Sequence, residues 1–197
     1  MNFSAFFTYV VVTTFTPGPN NIISMTNASK HGFKGAVPYN CGVFFGVMVV
    51  VSCCALFSSM LYNLLPTVEP YMRCVGAAYI LWLAWNVWLD KPKKSKLSLT
   101  DTTKFHSGVL MQFINVKCYL FALTTMSSFV LPYYKAVGAI MFFVFIMAFM
   151  CLVGACMWAL FGSAFEGVFK NHRKILNFVM AMLLVYSAST MVMDLWR

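Results

Sequence analysis

Charge in this chain is confined to short breaks between long apolar tracts. No Asp, Glu, Lys or Arg occurs in Met1–Ser29, Gly35–Val68, Cys74–Leu89, Cys118–Tyr134, Ala136–Phe165 or Ile175–Met193. Roughly 20 apolar residues of helix cross a bilayer core, and most of these tracts reach that length. The two shorter ones lengthen when Arg73 and Lys117 are counted inside. With 61% hydrophobic and 10% charged residues over 197 positions, the length suits about six spanning helices and leaves no stretch for a separate soluble domain. A water-soluble catalytic module is excluded.

The spans are expected at about Phe3–Ser29, Val37–Tyr62, Pro70–Leu89, Phe105–Leu131, Ala136–Phe165 and Ile175–Asp194. One polar linker, from Lys91-Pro92-Lys93-Lys94-Ser95-Lys96 to Lys104, divides a single transmembrane domain into a first repeat (1–90) and a second (105–197). An odd number of spans per half makes the second half enter the membrane from the opposite side. The expected fold is therefore an all-α membrane protein: six transmembrane helices as two inverted three-helix repeats, with interruptions at mid-membrane considered below.

A net charge of +9 could point to nucleic acid, but the basic residues lie in the breaks and not on one face of a domain, so no nucleic-acid partner is expected. They fall in alternate breaks: Lys30 and Lys34; Lys91, Lys93, Lys94, Lys96 and Lys104; Lys170, Arg173 and Lys174. The opposite set holds only Arg73, Lys135 and Arg197. By the positive-inside rule the first, third and fifth connections are cytoplasmic and both termini lie outside. Tyr62, Tyr71, Tyr133, Tyr134 and Trp196 then mark the outer interface, and Tyr39, Trp85 and Trp88 the inner one. The N-terminus lacks the basic region and cleavage site of a signal peptide, so the first helix is expected in the mature protein.

Two polar interruptions stand out. The first span carries Thr16-Pro17-Gly18-Pro19-Asn20-Asn21 near its middle, and the fourth carries Gln112-Phe113-Ile114-Asn115-Val116-Lys117. Interruptions at corresponding positions of inverted halves point to a transporter site at the membrane midplane. Pro17 and Pro19 have no N–H, so the carbonyls of Thr13 and Phe15 lose their helical donors. In hydrocarbon such a break survives only where it packs against protein or lines a wet cavity. Gly18 permits unusual dihedrals and close approach and would serve as a hinge, Pro19 suits the start of a new half-helix, and the N–H groups of Asn20 and Asn21 become free donors at a positive helix end. A zwitterionic amino acid fits: carboxylate toward the half-helix N-terminus, ammonium toward the freed carbonyls, amides of Asn20 and Asn21 serving either. The competing interpretation is a simple kink satisfied by Thr13, Thr14 and Thr16.

Lys117 is the one charge well inside an apolar tract. At a helix centre it costs about 2.5–3.5 kcal/mol on insertion scales, which suggests function: contact with a substrate carboxylate, or a proton released and taken up during a transport cycle. Gln112 and Asn115, three apart, share its helix and one face. No carboxylate lies deep in a span, since Glu69, Asp90, Asp101, Glu166 and Asp194 map to helix ends or connections. Glu69 and Arg73 are spaced to pair with each other. The seven cysteines have no C-x-x-C spacing and no His nearby in sequence, so they read as small buried hydrophobes; neither a metal nor a cofactor is expected. The sequon Asn27-Ala28-Ser29 falls at the cytoplasmic end of the first span and reads as chance. Gly42-x-x-x-Gly46 and the stripe Ala155, Ala159, Ser163 suit close helix contact within one chain or between copies, which leaves a homo-oligomer open.

Thr16-Pro17-Gly18-Pro19-Asn20 resembles the signature of the LysE/RhtB family of bacterial amino-acid exporters. His31-Gly32-Phe33, Gly76-Ala77-Ala78-Tyr79-Ile80-Leu81-Trp82-Leu83-Ala84-Trp85 and Gln112-Phe113-Ile114-Asn115-Val116-Lys117 follow in that family's order, so the resemblance covers essentially the whole chain. In much of the family the last element reads Asn-Pro-Lys; with Val116 in place of proline, a softer break is expected in the fourth helix. The Asn-Val-Lys variant, the doubled Asn20-Asn21 and the third-span string are most similar to the cysteine/O-acetylserine exporter branch. The resemblance implies a non-enzymatic secondary transporter of the bacterial inner membrane that exports a small neutral amino acid, coupled to protons by antiport. Pro17, Gly18, Pro19, Asn20, Asn21, Gln112, Asn115 and Lys117 are the candidate substrate-binding residues, with Lys117 also the proton-coupling candidate. Export of homoserine or threonine is the alternative, and a membrane thiol-redox or metal-efflux protein a more distant one.

Overall fold

The computed structural model describes residues 1–57, 102–164 and 173–193, with isolated positions between 71 and 89. Among them there is no strand. Helix α1 (Phe3–Phe15) starts where the Asn2 side chain accepts from the Ala5 N–H at 3.1 Å, and stops at Thr16, whose own N–H still reaches the Val12 carbonyl. After the three non-helical residues Thr16, Pro17 and Gly18, α2 (Pro19–Leu56) begins with a proline in its first turn, where a missing N–H costs nothing.

Helix α2 is 38 residues long but is not one rod, because Gly32 sits at φ 71°, ψ 169°. Ser24 Oγ lies 2.7 Å from Asn40 Oδ1, sixteen residues away. Along a straight helix those residues would be about 24 Å apart. So α2 is a hairpin whose legs, 19–31 and 33–56, run back along each other. The sequence suggests a connection from Lys30 to Ala36; the reversal instead takes one residue, because glycine alone enters positive φ without a Cβ clash.

Helices α3 (Phe105–Ile114) and α4 (Val116–Thr125), the latter continued by a π turn over Met126–Val130, meet at Asn115 with a bend of 70°. The break is therefore sharp without proline. Asn115 leaves the helix at φ −84°, ψ 96° and starts a new one, its carbonyl accepting from the Cys118 N–H at 2.9 Å. Asparagine is among the residues that most favour this capping position. Helices α5 (Val137–Ala164) and α6 (Arg173–Met193) complete the chain and lie within two residues of the expected fifth and sixth spans.

Among the described residues α2 and α5 are long and apolar enough to cross a membrane, and α3 with α4 adds a third crossing if the bent pair is one span. The described positions from Tyr71 to Trp88 are helical. The rest of the expected third span, the linker from Lys91 to Lys96, Tyr62, Trp196, the Glu69–Arg73 pair and all five carboxylates lie outside the described residues.

Helix α2 is the hub. A methyl group on Gly42 would overlap the Phe105 carbonyl and one on Gly108 the Tyr39 carbonyl, so α2 and α3 touch backbone to backbone. Gly162 does the same for α5 against the Met25 carbonyl, and Ala159 closes against Ala28 and Ala36. Tyr39 is 1% exposed and belongs to this core, not to an interfacial belt. Outward, α5 presents the exposed side chains of Phe142, Phe145, Phe149 and Phe161, an apolar face of the kind that suits lipid contact. Asn27 is buried with its amide paired to Thr102 at 2.6 and 2.9 Å, a structural role for the sequon asparagine.

Candidate functional site

The first-helix break leaves carbonyls without helical donors, and side chains from three elements take most of them. Asn21 Nδ2 donates to the Thr14 carbonyl at 2.8 Å and to the Thr16 carbonyl at 3.0 Å. The Trp158 indole, from α5, donates to the Phe15 carbonyl at 3.2 Å. Lys117 Nζ, from α4, donates to the Thr16 carbonyl at 3.1 Å. The Thr16 hydroxyl folds back on the Val12 carbonyl. Buried Asn21 thus acts as a brace across the gap between α1 and α2. Gly18 is at φ −166°, ψ 172°, extended backbone open to any residue, so no unusual dihedral is needed there. What glycine supplies is room: a Cβ at this position would lie 3.1 Å from Lys117 Nζ and 3.3 Å from its Cδ.

The second break meets the first face to face. Asn20 Nδ2 donates to Gln112 Oε1 at 2.8 Å and Gln112 Nε2 returns a bond to Asn20 Oδ1 at 3.1 Å. Gln112, fully buried, also donates to the Gly108 carbonyl at 2.9 Å. The two amides therefore lock the interrupted helices to each other. Asn115 is 4% exposed, and its Oδ1 is buried with no hydrogen-bond partner among the described residues. A buried acceptor of that kind costs about 1–3 kcal/mol unless something else satisfies it.

A cavity of about 50 Å³ opens where the breaks meet, and Gly18, Pro19, Asn20, Asn21, Gln112, Asn115 and Lys117 all line it. Pro17 does not; it is exposed. Sequence reasoning identified seven of the lining residues although the hydrogen-bonded pair Asn20 and Gln112 lies 92 positions apart. It did not place Val47, Phe121, Cys118 and Cys151 there, because an apolar residue or thiol on a helix carries no mark of which neighbour it faces. Thr13, whose carbonyl the prolines were expected to free, and Thr14, expected only as a partner within a kink, also line it.

The charge pattern is one-sided. Helices α2 and α4 both direct N-termini at the cavity, where first-turn N–H groups concentrate partial positive charge. Lys117, half-buried, adds a full one. The described residues contain no carboxylate to oppose it. Against these donors stands Asn115 Oδ1, with the Thr16 carbonyl behind Lys117 and already accepting from Lys117 and Asn21. Below the cavity, Ser24 Oγ lies within 2.7 Å of Asn40 Oδ1 and 2.8 Å of the Ala155 carbonyl, tying both legs of α2 to α5. Among the described residues no three His, Cys, Asp or Glu side chains are grouped to hold a metal ion.

A model of the family described as LysE type translocator matches residues 11–195. The cysteine/O-acetylserine efflux protein of Escherichia coli O1:K1 (APEC) is 37% identical over 185 residues, 94% of this chain and 94% of the relative. Its counterpart from Escherichia coli strain K12 is 36% identical over the same shares. No solved structure matches. With the match running from α1 through α6 and including both interrupted helices, the chain belongs to the LysE type translocator family and is a membrane transporter, not an enzyme.

Proposed function

We propose that this translocator exports small neutral amino acids, cysteine and O-acetylserine first among them, from the bacterial cytoplasm in exchange for protons. The observation that carries the reading is the cavity at the paired breaks. It joins a concentration of positive charge, from two half-helix N-termini and Lys117, to an unpaired buried acceptor, Asn115 Oδ1. A zwitterion supplies both complements, its carboxylate to the N–H groups and its ammonium to the acceptors. The relatives' described substrates, cysteine and O-acetylserine, are zwitterions with small side chains. Room for about three or four waters, by the usual 10–15 Å³ for each, is the scale of the shared ammonium–carboxylate head; the side chain is accommodated toward Val47, Phe121, Cys118 and Cys151.

In this reading six spans form two inverted halves, each opening on an interrupted helix, with both termini outside. Alternating access rocks one half against the other around the cavity. Asn20 and Gln112 hold the breaks in register, Asn21 braces the first, and Lys117 exchanges the proton. Efflux from proteoliposomes loaded in turn with labelled cysteine, O-acetylserine, serine, threonine and lysine, with and without a pH gradient, tests it. Gradient-stimulated movement of cysteine or O-acetylserine, reduced at least tenfold in Asn115→Ala, is the expected result. Movement of threonine alone would reassign the substrate. No movement of any of the five by correctly folded and oriented protein would overturn the reading.

A further inference from the structure

Among the described residues the Lys117 ammonium meets no carboxylate. It reaches across to a backbone carbonyl of the other broken helix, Thr16, at 3.1 Å. It runs along Gly18, in the space any larger residue there would fill. That carbonyl has two lone pairs and two donors, Lys117 Nζ and Asn21 Nδ2. The two donors are not equal. Asn21 is buried and held a second time by the Thr14 carbonyl, whereas Lys117 is half-exposed on a flexible four-carbon stem. An alkylammonium entering the cavity has three N–H donors to place. Asn115, which lines the cavity, has a buried Oδ1 with no partner among the described residues and could turn it to one; the Thr16 carbonyl, which lies behind Lys117, can take another only if Lys117 gives way.

We propose that the Lys117 ammonium is a tethered stand-in for the ammonium of the transported amino acid: it holds the Thr16 carbonyl between substrates and is displaced from it when substrate binds. The inference rests on the export reading above. It converts the site's geometry into an exchange rule, because the Lys117 amine and the substrate ammonium compete for one place on the same carbonyl. Among the described residues the other titratable side chains lining the cavity are the thiols of Cys118 and Cys151.

Two measurements on the full-length protein in detergent micelles, under reducing conditions, test the proposal. The first is binding, followed as ligand-induced thermal stabilisation, with L-cysteine, cysteamine (ammonium without carboxylate) and 3-mercaptopropionate (carboxylate without ammonium). Removing a competitor that holds the site most of the time tightens apparent affinity in proportion, so Lys117→Met is expected to bind cysteamine about tenfold more tightly than wild type and 3-mercaptopropionate no more tightly. The second is amine labelling of the wild-type protein, read by peptide mass spectrometry as the ratio of Lys117 to exposed Lys34. Saturating L-cysteine is expected to raise that ratio severalfold. Loss of cysteamine binding in Lys117→Met, or protection of Lys117 by L-cysteine, would overturn the proposal and make the lysine a carboxylate contact. If Lys117→Met does not fold, the labelling ratio decides alone. L-cysteine binding to wild type with an unchanged ratio overturns this inference only; no binding of any amino acid overturns the export reading with it.

Discussion

Gln112 shows how much of this site depends on a single missing methyl group. Its side chain is fully buried and makes both amide bonds with Asn20 because Gly46 on α2 leaves it space; a Cβ at Gly46 would lie 2.6 Å from Gln112 Cγ. Gly46→Ala should therefore displace Gln112, breaking the amide pair as well as crowding the α2–α3 contact. Overpacking of this kind costs about 1–3 kcal/mol, so a clear fall in melting temperature is expected, together with lost efflux. Gly138→Ala is the control, since nothing lies within 4 Å of a Cβ there, and its melting temperature should match wild type. Equal stability of the two variants would mean that Gln112 is not seated as described. The pair itself can be weighed by a double-mutant cycle of Asn20→Ala and Gln112→Ala, with an expected coupling of about 1 kcal/mol, within the range for residues sharing a buried network. Asn20, Gln112 and Lys117 were each legible in the sequence as polar residues in the wrong solvent. Their partners were not, because Asn20–Gln112 and Lys117–Thr16 contacts span 92 and 101 residues and no local spacing encodes them.

The breaks differ in how plainly the sequence announces them. Pro17-Gly18-Pro19 removes two donors within three residues, and α1 ends as those prolines require. At Asn115 no donor is missing, and sequence alone suggested a softer break than the observed 70°. The turn is made by backbone geometry at one residue, and what rewards it is tertiary: the Asn20–Gln112 pair and the Lys117 reach both need α3 and α4 aimed at the first break. This makes a strong claim about Val116. As the first residue of α4 its N–H needs no partner four residues back. Val116→Pro, which restores the family's commoner Asn-Pro-Lys, should leave the melting temperature within a few degrees of wild type and keep efflux. A helix continuous through this point would lose about 3 kcal/mol to the same substitution, and a collapse in stability would refute the break. Gly32 is the opposite case. In the sequence it is part of a charged gap and of the His31-Gly32-Phe33 string, neither of which marks a reversal, yet its φ of 71° makes the whole hairpin. Gly32→Ala is expected to destabilise by about 1–2 kcal/mol, the cost of left-handed backbone for a residue with a Cβ, and Gly32→Asn by less.

At the scale of the whole molecule, the proposed orientation rests on charge. Each of the two breaks is preceded by a short apolar helix, 13 residues for α1 and 10 for α3, that ends at the shared cavity. If the halves are inverted, those helices reach the midplane from opposite faces, so that α2 and α4 bring their N-termini to it from opposite sides too. A parallel arrangement would send both lysine-rich gaps, Lys30–Lys34 and Lys170–Lys174, to different faces, against the strong bias of basic residues toward the cytoplasm. Impermeant maleimide labelling of intact cells separates the cases, using single cysteines introduced at Asn2, Lys94, Lys135 and Arg197 in a chain whose seven native cysteines are replaced. Inverted halves predict labelling from outside at Asn2→Cys, Lys135→Cys and Arg197→Cys, and at Lys94→Cys only after permeabilisation. Labelling of Asn2→Cys and Arg197→Cys from opposite sides would mean an odd number of crossings. The two breaks could then not be related by inversion, and the cavity would be a meeting of two unlike helices with no second, mirrored conformation to alternate with.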